Sequence, residues 1–323
     1  MAVRSERFHL WRSRKDAVVR WLIAIGGVGV IFAVVLIFFY LLWVVFPLFL
    51  PASTDLGEPV VMRGWANTEP VYFSVEEQQE IGLRLDSGGS AEFFNLKTGR
   101  RVSDHPLPLL AGERLLLSVE ALERNGLVAV ASSHGNVFVF QHDYETVFSG
   151  GVDTRKINPI LEFPYTKDPF LKLPSSDISA LAFSDGERES VIAAVSSDGL
   201  LHVNYASKSE NFLSGEISIE NNVREARLDF LPTALAVSGN HQWLYVGDNN
   251  GRVHRYRVPS LEEDQVLELS SSPVTSMTML LGGMSVLVGS EDGKISQLCP
   301  VRVEGTDFKL EKSRAFDALD GAI

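Results

Sequence analysis

The sequence predicts one membrane-spanning helix followed by an all-β domain of repeated hairpins. Two observations support this. No charged residue occurs between Arg20 and Asp55, and five later segments share an apolar strand, a tight polar turn ending in glycine and an alternating strand. About 20 apolar residues suffice for a helix to cross the hydrocarbon core, and a helix satisfies its own backbone groups within lipid. A secretory signal peptide has an apolar stretch of only about 7–15 residues, so the longer run indicates an anchor.

The charge at the start of the chain predicts the orientation of the helix. Six basic residues, the last of them Arg20, stand against two acidic ones, a local net charge of +4. Positive flanks stay in the cytoplasm, so we expect the N-terminus inside and residues after about 52 outside. The expected segments are a basic cytoplasmic head (1–19), the membrane helix (20–50), a short linker (51–59) and the all-β domain (60–323).

The membrane helix carries two features that bear on its surroundings. Trp21 and Trp43 lie near its two ends, where aromatic side chains favour the membrane–water interfaces. Gly29 and Ala33, with Gly26 one turn earlier, form a pattern of small residues that lets a second helix approach closely. The alternative is that membrane helices contain more glycine than soluble ones, whether or not they pack on a partner.

Composition limits the classes of partner and the means of stabilisation. The 323-residue chain has a net charge of −12 although its first segment is basic, so the outer domain is strongly acidic. Binding to nucleic acid or to anionic lipid requires clusters of Lys and Arg, and we therefore expect no nucleic-acid partner. The single cysteine, Cys299, excludes an intrachain disulfide and is expected to be a buried small side chain.

The repeated hairpins predict a β-propeller. Their turns resemble the Asp-Gly and Asn-Gly turns that place a residue at positive φ. The turn glycines are spaced 46, 64, 52 and 42 residues apart, and periods near 40–50 with one hairpin per unit are typical of propeller blades. The structural turn residues predicted are Gly89, Gly135, Gly199, Gly251 and Gly293.

Further strands complete most of the predicted blades. Upstream strands are expected at 115–119, 178–183, 233–237 and 274–279, and a downstream strand at 266–269. In the long interval Pro159, Pro164, Pro169 and Pro174 recur every five residues. Because proline cannot donate to a sheet ladder, this segment is expected to be an irregular surface excursion.

The pattern resembles the WD-repeat and quinoprotein-like propellers. It lacks the Gly-His and Trp-Asp dipeptides of the former and the tryptophan docking motif of the latter. Five blades are expected, and the last residues would begin a sixth. A propeller closes on itself to hide its edges, so we expect an incomplete propeller in a fragment of a longer protein, with closure at five blades as the alternative.

No constellation of residues predicts catalysis, a cofactor or a metal site. The seven histidines have neither helical i, i+4 spacing nor zinc-site spacing. Asp248 to Gly251 and Glu291 to Gly293 faintly resemble calcium loops but lack the distal bidentate glutamate, so turn chemistry explains them better. A nucleophile elbow and a phosphate-binding loop are also missing, and we expect a protein that is not an enzyme.

The segments Val19–Ile31 and Tyr40–Phe49, followed by a β-repeat domain, resemble the enlarged bacterial form of the phosphate ABC transporter permease subunit. In that family one helix leads into a large periplasmic insertion, and the remaining membrane helices follow. The resemblance implies the bacterial inner membrane, a periplasmic propeller acting as an interaction module and phosphate uptake. It also implies several partners: other permease subunits, a cytoplasmic ATPase and a periplasmic solute-binding protein. None of the family's transport residues can be placed on this chain.

Three functions follow as hypotheses. The first is the N-terminal part of such a permease, and the second is a single-span anchored propeller that scaffolds the assembly of envelope proteins. The third, a quinoprotein-like enzyme, lacks any candidate site.

Overall fold

The computed structural model describes residues 3–50, 68–122, 126–148, 155–174, 178–210, 217–303 and 308–316. The contacts of the chain divide it into two compact units, Met1–Pro59 and Val60–Ile323.

The first unit is one long helix. Helix α1 spans Val3–Val45 and continues the predicted basic head directly into the predicted membrane helix. The helix ends at Val45, and Pro47 lies in the 3₁₀ turn Phe46–Phe49 that follows. Proline ends the helix because it lacks an amide proton and disfavours the helical conformation of the residue before it. The stretch Val18–Phe49 has the length and composition to cross a membrane. Its 32 residues correspond to about 48 Å of helix, more than the roughly 30 Å hydrocarbon core requires.

The second unit is all β. Its strands are β1 (Pro70–Val75), β2 (Ile81–Asp86), β3 (Ser90–Asn95), β4 (Arg101–Pro106), β5 (Leu115–Glu120), β6 (Leu127–Ser132), β7 (Asn136–Phe148), β8 (Arg155–Glu162), β9 (Leu171–Lys172), β10 (Ile178–Asp185), β11 (Glu189–Ser196), β12 (Leu200–Glu210), β13 (Ile217–Arg227), β14 (Pro232–Val237), β15 (Trp243–Asp248), β16 (Arg252–Arg257), β17 (Glu262–Glu268), β18 (Val274–Met279), β19 (Val286–Ser290), β20 (Ile295–Arg302) and β21 (Phe308–Phe316).

The strands form five separate antiparallel sheets, which we call blades 1 to 5. Blade 1 contains β1–β4, blade 2 contains β5–β8 with β9 added, blade 3 contains β10–β13, blade 4 contains β14–β17 and blade 5 contains β18–β21. The innermost strands contact one another in succession, from β1 through β5, β10 and β14 to β18. No comparable contact joins β18 to β1 within the described ranges, so the ring of blades is not closed there. The predicted fold class, an apolar helix followed by a β-propeller, is confirmed.

The second strand of each blade explains why the blades stack. In β6, β11 and β15 nearly every residue is buried, because these strands belong to blades 2 to 4 and are covered on both faces by neighbouring blades. In β6, for example, Val128 and Val130 pack against blade 1, whereas Leu127 and Ala129 pack against blade 3. Four apolar clusters therefore lie between successive blades rather than in one central core.

The inner strands share a local irregularity that the sequence pattern did not reveal. A β-bulge or register shift occurs at the same place near the start of β1, β5, β10, β14 and β18. Bulges increase local twist, which suits strands that converge around a common axis.

The expectation of an irregular segment around the four prolines was wrong in part. Arg155–Glu162 forms β8, the outer strand of blade 2, and Pro159 lies within it opposite Tyr144. Proline is tolerated because β8 has an unpaired outer edge. Strand β9 pairs with the start of β7, and this is possible because β7, at 13 residues, is long enough to serve both partners.

Candidate interaction site

The predicted anchor residues all lie on the surface of α1. Trp21 is 71% and Trp43 is 80% exposed, and every described side chain from 18 to 50 is exposed. A Cβ added to Gly26 or Gly29 would meet nothing within 4 Å. The helix surface around Gly29 and Ala33 is therefore open to lipid or to another helix, and helix packing stays a prediction.

The predicted turn glycines are distributed one per blade and do not form a site. Their φ values lie between +76° and +84°. In each turn the glycine amide donates to the carbonyl oxygen three residues earlier, over 2.9–3.4 Å. These carbonyls belong to Asp86, Ser132, Ser196, Asp248 and Ser290.

The side chains at this same position organise several of the turns, a feature that the sequence analysis missed. Asp86 Oδ1 accepts the amide of Ser90 at 2.9 Å. Asp248 Oδ1 accepts the amides of Asn250 and Arg252 at 2.9 and 2.7 Å. In the sequence, an Asp or Ser stands three residues before each of the five turn glycines. This recurrence is the signal that could have identified these side chains as acceptors for turn amides. The Asp248 side chain therefore stabilises the hairpin turn between β15 and β16.

A recess of the domain lies between blades 4 and 5, and we call it the 4–5 cleft. It has a volume of about 690 Å³. Blade 4 contributes Trp243 and Tyr245 from β15, Arg255 and Arg257 from β16, and Asp264 from β17. Blade 5 contributes Met284, Phe308 and Lys309.

The register of blade 4 places the aromatic and basic residues together. Trp243 pairs with Arg257, and Tyr245 pairs with Arg255. Cross-strand partners share one face of a sheet, so the alternation of β16 sends Val253, Arg255 and Arg257 towards blade 5. Val253 packs into the apolar cluster there, and the two arginines extend that face outwards into the cleft.

An ion pair between the buried Arg255 and the partly exposed Asp264 forms the inner wall of the 4–5 cleft. The Arg255 side chain is only 4% exposed and donates to Asp264 through Nε, at 2.7 Å, and through Nη2. Nη2 also donates to the carbonyl oxygen of Phe308 in blade 5, at 2.9 Å. The guanidinium lies 4.3 Å from the Trp243 ring centre. Arg255 is therefore committed to holding the two blades together.

The outer wall presents groups that are less engaged. The Arg257 side chain is 59% exposed, lies 3.6 Å from Asp264 and sits 5.4 Å from the centre of the Trp243 ring. Burial raises the pKa of Tyr245 to about 12, so this phenol stays neutral. The cleft thus offers cations and an aromatic surface for recognition.

A second group of polar side chains lies between blades 1 and 2. Tyr72 Oη donates to Glu120 Oε2 at 2.9 Å and lies 3.0 Å from His142 Nε2. The His142 and Tyr144 rings are 5.7 Å apart, and His142 Nδ1 and Tyr144 Oη are buried with no hydrogen-bond partner among the described residues. Burial lowers the pKa of His142 and raises that of Tyr144, which keeps both neutral near pH 7.

Within the described ranges, no three His, Cys, Asp or Glu side chains converge as a metal site. Cys299 is partly buried rather than fully buried, and its Sγ lies 3.1 Å from Ser285 Oγ.

Comparisons with known proteins agree with the architecture. The chain is similar to the Cps50 (Swd1) β-propeller domain of Myceliophteria thermophila, with a TM-score of 0.51 and 10% sequence identity over 80% of this chain and 75% of that chain. No protein-family model and no curated protein matches the sequence. Nothing in these comparisons supports the resemblance to the phosphate permease subunit. What the similarity shows is the fold, a β-propeller that follows one apolar N-terminal helix.

Proposed function

We propose that this protein is a membrane-anchored β-propeller that docks partner proteins outside the cytoplasm and does not act as an enzyme. One combination of observations carries the proposal. An exposed apolar helix precedes a propeller, and the cleft between blades 4 and 5 of that propeller offers cations and an aromatic surface for recognition. The positive N-terminal flank supports a domain outside the cytoplasm. A bacterial inner membrane is proposed from the sequence resemblance alone. The similar solved structure is itself a propeller domain and contributes only the fold.

Photo-crosslinking in the native membrane tests this function. A benzoyl-phenylalanine is introduced singly at four exposed apolar positions in different blades: Phe73, Phe148, Val223 and Met284. A docking scaffold gives discrete, light-dependent adducts at one or more of these positions. The absence of adducts at all four would contradict the proposal.

Phosphate transport is a separate proposal that rests on the sequence resemblance alone. It predicts that deleting the propeller lowers uptake of radiolabelled phosphate by the host cells. The scaffold proposal predicts unchanged uptake together with loss of the crosslinked assemblies. Measuring both in one deletion strain separates the two functions.

A further inference from the structure

We propose that the 4–5 cleft binds an extended acidic segment of a partner protein, with carboxylates at its basic mouth and an apolar side chain against Met284 and Phe308. This inference rests on the proposed docking function and specifies the chemistry of the partner.

The charge at the cleft mouth is the first argument. Arg257 and Lys309 are exposed, and Lys309 forms no ion pair within the part of the chain that the structure describes. Asp264 is the one carboxylate among the described residues that line the cleft, and it is shared between Arg255 and Arg257. Glu262 lies opposite Arg257 in the strand ladder but makes no ion pair with it. Among the described lining residues, the three cations Arg255, Arg257 and Lys309 face one carboxylate, and this excess of positive charge on a chain of net charge −12 complements carboxylates of a partner.

The aromatic wall is the second argument. The Arg257 guanidinium lies near the Trp243 ring, an arrangement that orients a planar cation while leaving its outer edge free to donate. Met284 and Phe308, on the facing blade, are 63% and 47% exposed. Exposed apolar side chains next to the cations Arg257 and Lys309 suit a segment in which acidic and apolar residues alternate.

The size and charge of the cleft favour a short acidic segment over nucleic acid. Its volume of about 690 Å³ lies within the range of roughly 300–1,000 Å³ that is typical of binding sites for compact ligands. Nucleic acid would require a longer stripe of cations, since proteins that bind it tightly make about 6–10 phosphate contacts. A few cations beside exposed apolar side chains instead match a few carboxylates on a short segment.

Fluorescence anisotropy with a defined probe tests the inference. The probe is a rhodamine-labelled, acetylated hexapeptide, Asp-Leu-Asp-Glu-Leu-Asp, and its counterpart has lysine at every acidic position. The full chain is held in nanodiscs of neutral phosphatidylcholine, so that lipid charge does not contribute. We expect saturable binding of the acidic peptide that weakens by about tenfold or more when salt rises from about 50 to 300 mM, and no saturable binding of the lysine peptide.

Matched charge reversals locate the binding. The double variant Arg257→Glu with Lys309→Glu is expected to weaken binding by about tenfold or more. The control, Lys97→Glu with Arg100→Glu, makes the same charge change at two exposed positions of blade 1 and is expected to alter binding by less than about twofold. Thermal unfolding of both variants confirms that they are folded.

Three results would overturn the inference: no saturable binding of the acidic peptide, equal binding of the lysine peptide, or equal losses in the two double variants. Crosslinks that persist at other blades alongside any of these results would show that the docking function stands and only the cleft assignment is wrong.

Discussion

Gly251 provides a direct test of how the hairpin turns are built. It has a φ of +79°, and its amide donates to the carbonyl of Asp248. A Cβ at this position would lie 2.6 Å from the carbonyl oxygen of Ser272 and closer still to that of Ser270. Both obstacles are backbone atoms, which cannot rotate away. Gly251→Ala therefore introduces backbone strain and a steric clash together.

Gly112 supplies a matched control for the size of the effect. Its φ is +81°, nearly that of Gly251, but a Cβ there meets nothing within 4 Å. Placing alanine in the left-handed region costs about 1–2 kcal/mol at either position. The clash at Gly251 adds about 1–3 kcal/mol, the usual cost of overpacking. We therefore expect Gly251→Ala to lower the free energy of unfolding by about 2–5 kcal/mol, and Gly112→Ala by about 1–2 kcal/mol.

Thermal unfolding of the full chain in detergent, followed by the β-sheet circular dichroism signal, measures the difference. A gap of about 1–3 kcal/mol between the two variants corresponds to roughly 2–12 °C in melting temperature for a domain of this size. If the two variants melt at the same temperature, the close approach of the Ser270 and Ser272 carbonyls to Gly251 is wrong.

Two further predictions concern stability. Asp248→Ala removes the acceptor of two turn amides and should lower the free energy of unfolding by about 1–3 kcal/mol. An unchanged midpoint of urea unfolding would show that the Asp248 side chain does not stabilise the turn. Burial lowers the pKa of His142 in the folded state, whereas the unfolded chain takes up this proton near pH 6.5. The unfolded state then binds more protons below that pH, so stability should fall as pH falls from about 7 to 5.5. Urea unfolding across this pH range should show that the free energy of unfolding falls less steeply for His142→Gln than for the unmodified protein. Identical pH slopes for the two proteins would show that His142 does not cause the loss of stability.

The sequence was sufficient for the hairpins because their chemistry is local. A strand buried on both faces reads as a continuous apolar run, as in Leu127–Ser132, and a positive-φ turn favours glycine. The outer strands were harder to predict. Strand β8 tolerates Pro159 only because it lies at a sheet edge, and edge position depends on the assembled blade.

The 4–5 cleft could not be predicted because it depends on two levels of structure beyond the hairpin. The pairing of Trp243 with Arg257 needs the strand register, and the contact of Arg255 with the Phe308 carbonyl needs the packing of blade 5 on blade 4. The signal in the sequence was the alternation of Arg255 and Arg257 along β16. This alternation places both arginines on one face of the blade 4 sheet, but it does not indicate that blade 5 packs against that face. The site residues predicted from sequence, in the anchor and the turns, lie elsewhere.

Cysteine labelling in spheroplasts tests most directly the central claim that the propeller is anchored outside the cytoplasm. With Cys299 replaced by Ala, a single cysteine is introduced either at Leu281, which is 95% exposed, or at Ser5 in the basic head. If the propeller lies outside the cytoplasm, a membrane-impermeant maleimide labels Leu281→Cys in intact spheroplasts and labels Ser5→Cys only after lysis. The reverse pattern, or labelling of Leu281→Cys only after lysis, would contradict it.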